Sequence, residues 1–314
     1  MPLPNYLKVS REPTIPILLT RGETLLDLSE RQCTVMPSEN EAIGGFFCPT
    51  RILLQDLKGK KSGKASGRKK TPEPGLGIFD WLAPHYDSLG PVLDPSVFAV
   101  HSIILEVLNA LEPSPVRVLD LGCGTGLLAQ QILEMLPDSH VFALDNSLAM
   151  LQVARGNLED FMGRATLIKA DFRDLWEDVL EGPVDAVVHY SALHHLPHPA
   201  LREVLSRTSG ILRPGGWFIN ADSTNLTLPD PVQGVADSIR TSRDEASRLD
   251  SGEMTGLLEE FGAIRAGCSD SDRSEEFPVT SEQLVAWMIE AGFEFASRIY
   301  QDWNISVFLS RKPE

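Results

Sequence analysis

Apolar positions along the chain change their spacing in a regular way. From Ile78 onward, short runs of Val, Ile, Leu and Ala alternate with longer stretches whose apolar residues recur every three or four positions. The first pattern is that of buried strands and the second that of one-sided helices. The spacing predicts a helix over 96–111 and then a strand over Val116–Leu121, with Pro113 and Pro115 between them. Further helices are expected over 127–136, 147–158, 175–180 and 200–212. Strands are expected over 140–144, 166–170, 184–189 and 216–221. Strands that alternate with helices pair in parallel through right-handed crossovers, giving an open sheet covered on both faces.

That rhythm breaks between 222 and 280. Polar helical pieces at 231–245 and 253–261 precede the acidic, serine-rich stretch 268–276, which reads as an inserted lid. A helix over 281–291 follows, with Ser281 as its expected cap and Gly292 as its stop. Phe295–Tyr300 and Ile305–Leu309 read as a closing antiparallel pair.

The first 74 residues differ in kind. Their apolar groups are short and broken by Pro and Gly, and they hold 12 Lys and Arg against 8 Asp and Glu, whereas the remainder has a net charge of −20. Seven basic residues crowd 58–70 among Gly, Ser and Ala, the composition of a solvated linker. The expected organisation is an N-terminal extension over 1–74 and a domain over 75–314. A net charge of −16 disfavours phosphate backbones and anionic lipid as partners. The basic run lacks the interleaved aromatics of a nucleic-acid surface. No apolar run approaches membrane-spanning length, and Cys33, Cys48, Cys123 and Cys268 show neither zinc nor disulfide spacing, so no metal is expected. These features make the cytoplasm the expected location. The extension leaves a homodimer or a protein partner open.

The chemistry begins where the Val116–Leu121 strand runs into Gly122, Cys123, Gly124, Thr125 and Gly126. Glycines between a strand and a helix let backbone pass close to a ligand at the carboxyl edge of the sheet. A dinucleotide fingerprint would space them GxGxxG; here the spacing is GxGxG, which disfavours nicotinamide. With Asp145 ending the next strand and Asp171 the third, the segment resembles the class I S-adenosylmethionine-dependent methyltransferases. The resemblance covers about residues 78–312 and implies a Rossmann-like α/β fold, a seven-stranded sheet with helices on both faces. It also implies S-adenosylmethionine as methyl donor.

Carried over residue by residue, the resemblance implies that Asp120, Gly122, Cys123, Gly124 and Gly126 border the methionine end. Asp145 and Asn146 would meet the ribose, and Ala170, Asp171 and Phe172 the adenine. Tyr190 and Tyr86 would close over the methionine end. His194 and His195 are the candidate bases; both lie in a run common in this family whatever the acceptor. Trp81, His85 and Asp222 are candidates for acceptor contacts. The expected reaction is methylation of a small molecule at oxygen, nitrogen or carbon. Two alternatives remain at this point: donor-assisted chemistry without methyl transfer, and a scaffold that keeps only the fold.

Overall fold

The computed structural model describes residues 77–161, 163–225, 232, 255–267 and 276–314, together with three short strands before them. Those strands are β1 (Ile17–Leu19), β2 (Leu26–Asp27) and β3 (Thr34–Val35). The linker expected over 58–70 and, but for Val232, the helix expected over 231–245 lie outside the described residues.

Strands β4 (Arg117–Leu121), β5 (His140–Asp145), β6 (Ala165–Lys169), β7 (Val184–Tyr190) and β8 (Leu212–Asn225) are mutually parallel. They are joined in one sheet by β10 (Phe295–Asp302) and β11 (Ile305–Arg311). The order of these seven is β6-β5-β4-β7-β8-β11-β10, with β11 antiparallel to both its neighbours. Chain direction switches sides at β4, so a crevice opens between the carboxyl ends of β4 and its flanking strands. At the far edge β1 pairs with β6 and leads to β2 and β3, so the sheet continues into the N-terminal extension.

Alternation along each strand sorts the core. Val118 packs with α3 (Val97–Ala110), α4 (Leu127–Met135) and α5 (Leu148–Asn157), while Leu119 and Leu121 pack on the opposite face with α6 (His198–Ile211) and α8 (Ser281–Glu290). Burial of both faces explains the near-continuous apolar runs of β4 and β7.

Four local expectations change. The 175–180 helix is a single 3-10 turn, Glu177–Leu180. The fifth expected strand runs on to Asn225, because Thr224 and Asn225 pair in parallel with β9 (Val279–Thr280), a strand the pattern hides. The final helix is capped by Thr280 rather than Ser281: Thr280 and Gln283 form a reciprocal capping box, one residue earlier than the sequence suggested. The inserted helix α7 spans Thr255–Gly267. Ahead of α3 lie α1 (Ile78–Leu82), a 3-10 turn (Ala83–His85) and α2 (Tyr86–Leu93), which cross the mouth of the crevice.

Candidate active site

The loop after β4 is built on positive φ at Gly122 (84°), Gly124 (53°) and Gly126 (77°). The three glycines serve different ends. A Cβ on Gly122 would lie 2.9 Å from the Ala192 Cβ and 3.1 Å from the Phe172 ring, so this glycine lets three loops meet. A Cβ on Gly126 would lie 3.0 Å from Ala154, so this one lets α5 pack against the start of α4. Around Gly124 there is nothing within 4 Å. Its missing side chain therefore leaves open space in a cavity that Asp120, Cys123, Thr125, Tyr86, His101 and Tyr190 also line.

Asp145 stands at the end of β5 beside this loop. Its Oδ2 accepts the Gly124 amide at 2.9 Å and its Oδ1 accepts the Ser147 amide at 2.7 Å. Each oxygen keeps a further lone pair, the capacity needed for two vicinal hydroxyls. Burial raises the Asp145 carboxyl, and the amides of Ser147 and Gly124 oppose it. Asp120 is 1% exposed, and its Oδ2 has no hydrogen-bond partner. Its carboxyl is pushed up to about 7, first by burial and then by the Asp145 charge. A buried carboxylate oxygen without a donor is costly, and a bound cation or ammonium group relieves it.

At the end of β6, Asp171 is gripped by Arg173 through Nε at 2.8 Å and Nη2 at 2.7 Å, and the Asn146 amide donates to it at 3.1 Å. The Arg173 hydrogen bonds hold its carboxyl below the usual range. Ala170 is buried, and its amide donates to the Asp145 carbonyl, which ties the two strand ends together. Cys123 is buried and its thiol is raised by burial, so it is a small wall residue rather than a reactive group.

The segment across the mouth is fastened by three carboxylates seven residues apart. Asp80 accepts the Ser147 hydroxyl at 2.6 Å. Asp87 accepts the Thr125 hydroxyl and, at 3.0 Å, the Asn157 amide. Asp94, just beyond α2, accepts the Tyr190 hydroxyl. Tyr86, enclosed beneath, is pushed up to about 12 by burial and by the charges of Asp94, Asp145 and Asp87, so it stays a neutral phenol.

A second cluster lies at the ends of β7 and β8. Asp222, 4% exposed, accepts the His194 Nδ1 proton at 2.5 Å through Oδ1, and its Oδ2 lies 3.3 Å from His189 Nε2. The Leu121 carbonyl, 2.7 Å from His189 Nδ1, can only accept, so that nitrogen carries a proton. The amides of Ala192 and Leu193 point at Nε2 from 3.2 and 3.1 Å. Burial alone would raise the Asp222 carboxyl, but His194 outweighs it and holds it well below the carboxylate range. Burial would likewise lower His194, and the Asp222 charge overcomes it, leaving the imidazole above its ordinary value. His195 packs edge-on against Phe79, with centroids 5.5 Å apart, and Trp81 stacks on Phe261 of α7 at 6.1 Å and approaches His85 at 5.7 Å.

The structure thus gathers the sequence candidates into two neighbouring groups. One is the glycine loop with Asp120, Asp145, Tyr86 and Tyr190; the other is His194 and Asp222, with Phe79 against His195, while Trp81 and His85 lie against each other and Phe261. His189, Asp94, Asp87 and Thr125 were not singled out by the sequence. Their side-chain partners Asp222, Tyr190 and the Thr125–Asp87 pair lie 33 to 96 residues apart in sequence, and only the Tyr-Asp pair at 86–87 offered a signal.

Residues 118–216 match a family model described as a methyltransferase domain. The ubiquinone biosynthesis O-methyltransferase of Xanthomonas axonopodis pv. citri is 32% identical over 238 residues, 73% of this chain and 84% of that protein. The chain belongs to the class I S-adenosylmethionine-dependent methyltransferases. An enzyme of the same description from Xylella fastidiosa is 32% identical over 153 residues, 47% of this chain, which spans 56% of that relative's length. Among solved structures, the DhpI–SAH complex shares the methyltransferase fold at a TM-score of 0.52 and 18% identity, over 75% of this chain and 93% of that one. The donor of this family fits the residues present. Gly124 leaves room for it, Asp145 has lone pairs for ribose hydroxyls, and the unpartnered Asp120 oxygen suits the positive methionine end. No grouping of His, Cys, Asp and Glu suited to a metal occurs among the described residues, and no single helix there is long and apolar enough to cross a membrane.

Proposed function

We propose that this chain transfers a methyl group from S-adenosylmethionine to a small-molecule acceptor, with residues 75–314 as the catalytic domain. The carrying observation is the open space at Gly124 between the orphaned Asp120 oxygen and the Asp145 carboxylate. In this reading Asp145 and Asn146 hold the ribose, while Ala170, Asp171 and Phe172 border the adenine. Asp120, Cys123, Tyr86 and Tyr190 enclose the methionine end. A sulfonium donor is already activated, so the protein's work is alignment, exclusion of water and management of the acceptor's proton.

Calorimetry with S-adenosylmethionine, followed by detection of S-adenosylhomocysteine, tests the reading. Asp145→Ala is expected to weaken donor binding roughly 10- to 100-fold, the loss of two charge-assisted hydrogen bonds. Gly124→Ala should fold, at a cost of about 1–2 kcal/mol for its left-handed backbone, yet lose the donor because its Cβ enters the donor's space. A wild-type chain that folds without binding the donor would refute the proposal.

A further inference from the structure

Strands β4, β5 and β6 end side by side along the crevice, β4 in the glycine loop, β5 in Asp145 and β6 just before Asp171. A nucleoside whose ribose is held at Asp145, and whose methionine runs toward Gly124 on one side, must set its base on the other side, over the end of β6. The loop that follows β6 belongs to the same wall, because the Phe172 ring lies against Gly122.

At that place the Asp171 carboxylate is already full. Its Oδ1 accepts the Arg173 backbone amide at 2.9 Å and Arg173 Nε at 2.8 Å. Its Oδ2 accepts Arg173 Nη2 at 2.7 Å and the Asn146 side-chain amide at 3.1 Å. Lys169 donates to Asn146 Oδ1 at 3.3 Å, which turns the Asn146 amide toward Asp171. A carboxylate offers about four lone-pair positions, and four donors take them. Asp145 differs: each of its oxygens receives one amide and keeps a position open.

Resting on the methyltransferase reading above, we infer that Arg173 sets the donor specificity of this chain. By saturating Asp171 it lets the purine bind without recognition of its exocyclic amino group, so that donors altered at that group are held as well as the natural one.

The chemistry of the two competing donors supports this assignment. The amino group of adenine offers Asp171 a neutral hydrogen bond, whereas Arg173 offers a planar, charge-assisted fork. Water readily accepts a displaced guanidinium, because an exposed ion pair contributes little, and the Arg173 side chain is 69% exposed. Exchange of one donor for the other is therefore close to neutral, and the amino group adds almost nothing to affinity whether or not the guanidinium gives way. The loop itself is held independently of this pair. Arg207 of α6 donates to the Phe172 carbonyl at 3.2 Å and the Asp174 carbonyl at 2.6 Å, and Trp176 Nε1 donates to the Phe172 carbonyl at 3.3 Å. Removing the Arg173 side chain thus opens two acceptor positions on Asp171 while the loop keeps its course.

The test is calorimetry on the full chain with two probes. One is S-adenosylhomocysteine; the other is its analogue with hydrogen in place of the exocyclic amino group. In the wild type the two dissociation constants should agree within about fivefold, the scale of an exposed ion pair. In Arg173→Ala the freed carboxylate should accept the amino group, and the analogue should bind more weakly than S-adenosylhomocysteine by about tenfold or more. Arg173→Met, which keeps the stem without the fork, should behave in the same way. Adding Asp171→Ala to Arg173→Ala should return the ratio to its wild-type value, a response that a merely structural role for Arg173 would not produce. A wild-type ratio beyond about fivefold means that Asp171 already reads the amino group, and overturns the inference. So does a ratio that fails to rise in both Arg173 variants, since the base then lies elsewhere. A folded wild-type chain that binds neither probe overturns the donor reading itself, and this inference with it.

Discussion

In the proposed donor site Asp120 and Gly124 carry most of what binding needs, and neither does so by reacting. Period-two alternation in β4 puts Asp120 on the same buried face as Val118, so its carboxyl is forced into the core unless something charged arrives to meet it. An ordinary unfolded carboxyl titrates near 4, and here the native value is about 7. The native state thus holds this proton more tightly than the unfolded chain does. The group's contribution to stability is full below about pH 4 and is lost as pH rises through about 7. Asp120→Asn should therefore raise the thermal midpoint of the donor-free protein at pH 8 by about 5 °C, with little change at pH 4. Donor affinity should fall in the same variant. A stabilising substitution that impairs binding is the signature of a residue placed for ligand rather than for fold; scanning calorimetry at the two pH values with and without donor reads both effects.

Elements differ in how much of themselves they announce. The parallel strands and their helices were legible because burial on two faces leaves unbroken apolar runs, and the glycine loop was legible because its geometry is local. Asp145 and Asp171 were expected from position, as acids at or just past strand ends, and that is where the structure places them. The β9 strand was hidden because two residues carry no period. The Asp222–His194 pair was hidden for another reason: it depends on the register that sets Tyr190 beside Ala221, which no local pattern encodes. The aspartates of the segment 78–94 belong to the same class. Their seven-residue spacing gives each a different partner element: the start of α5 for Asp80, the glycine loop and α5 for Asp87, and the end of β7 for Asp94. Asp94→Asn leaves the fold of the sheet alone but weakens the hold on Tyr190. It should speed donor dissociation by several-fold with a smaller change in association, as stopped-flow mixing with S-adenosylhomocysteine would show.

On the scale of the whole molecule, a sheet with a topological switch at β4 supplies a crevice, and everything specific to this chain is laid over it. Its acidic charge leaves the sulfonium donor, rather than anionic surfaces, as the favoured visitor. Because three ties fasten the covering segment to three separate places, releasing one alone does not free it. Opening is then a cooperative event with a single free energy, not a fraying from one end. Amide hydrogens from Ile78 to Leu93 should accordingly exchange with deuterium at one shared slow rate, and donor binding should slow all of them by a common factor. A gradient of rates along α1 and α2 would mean that the ties act independently. If opening is shared, the spent donor leaves only when the entire cover lifts, which makes the lifetime of that closed state, more than the chemistry beneath it, the natural limit on turnover.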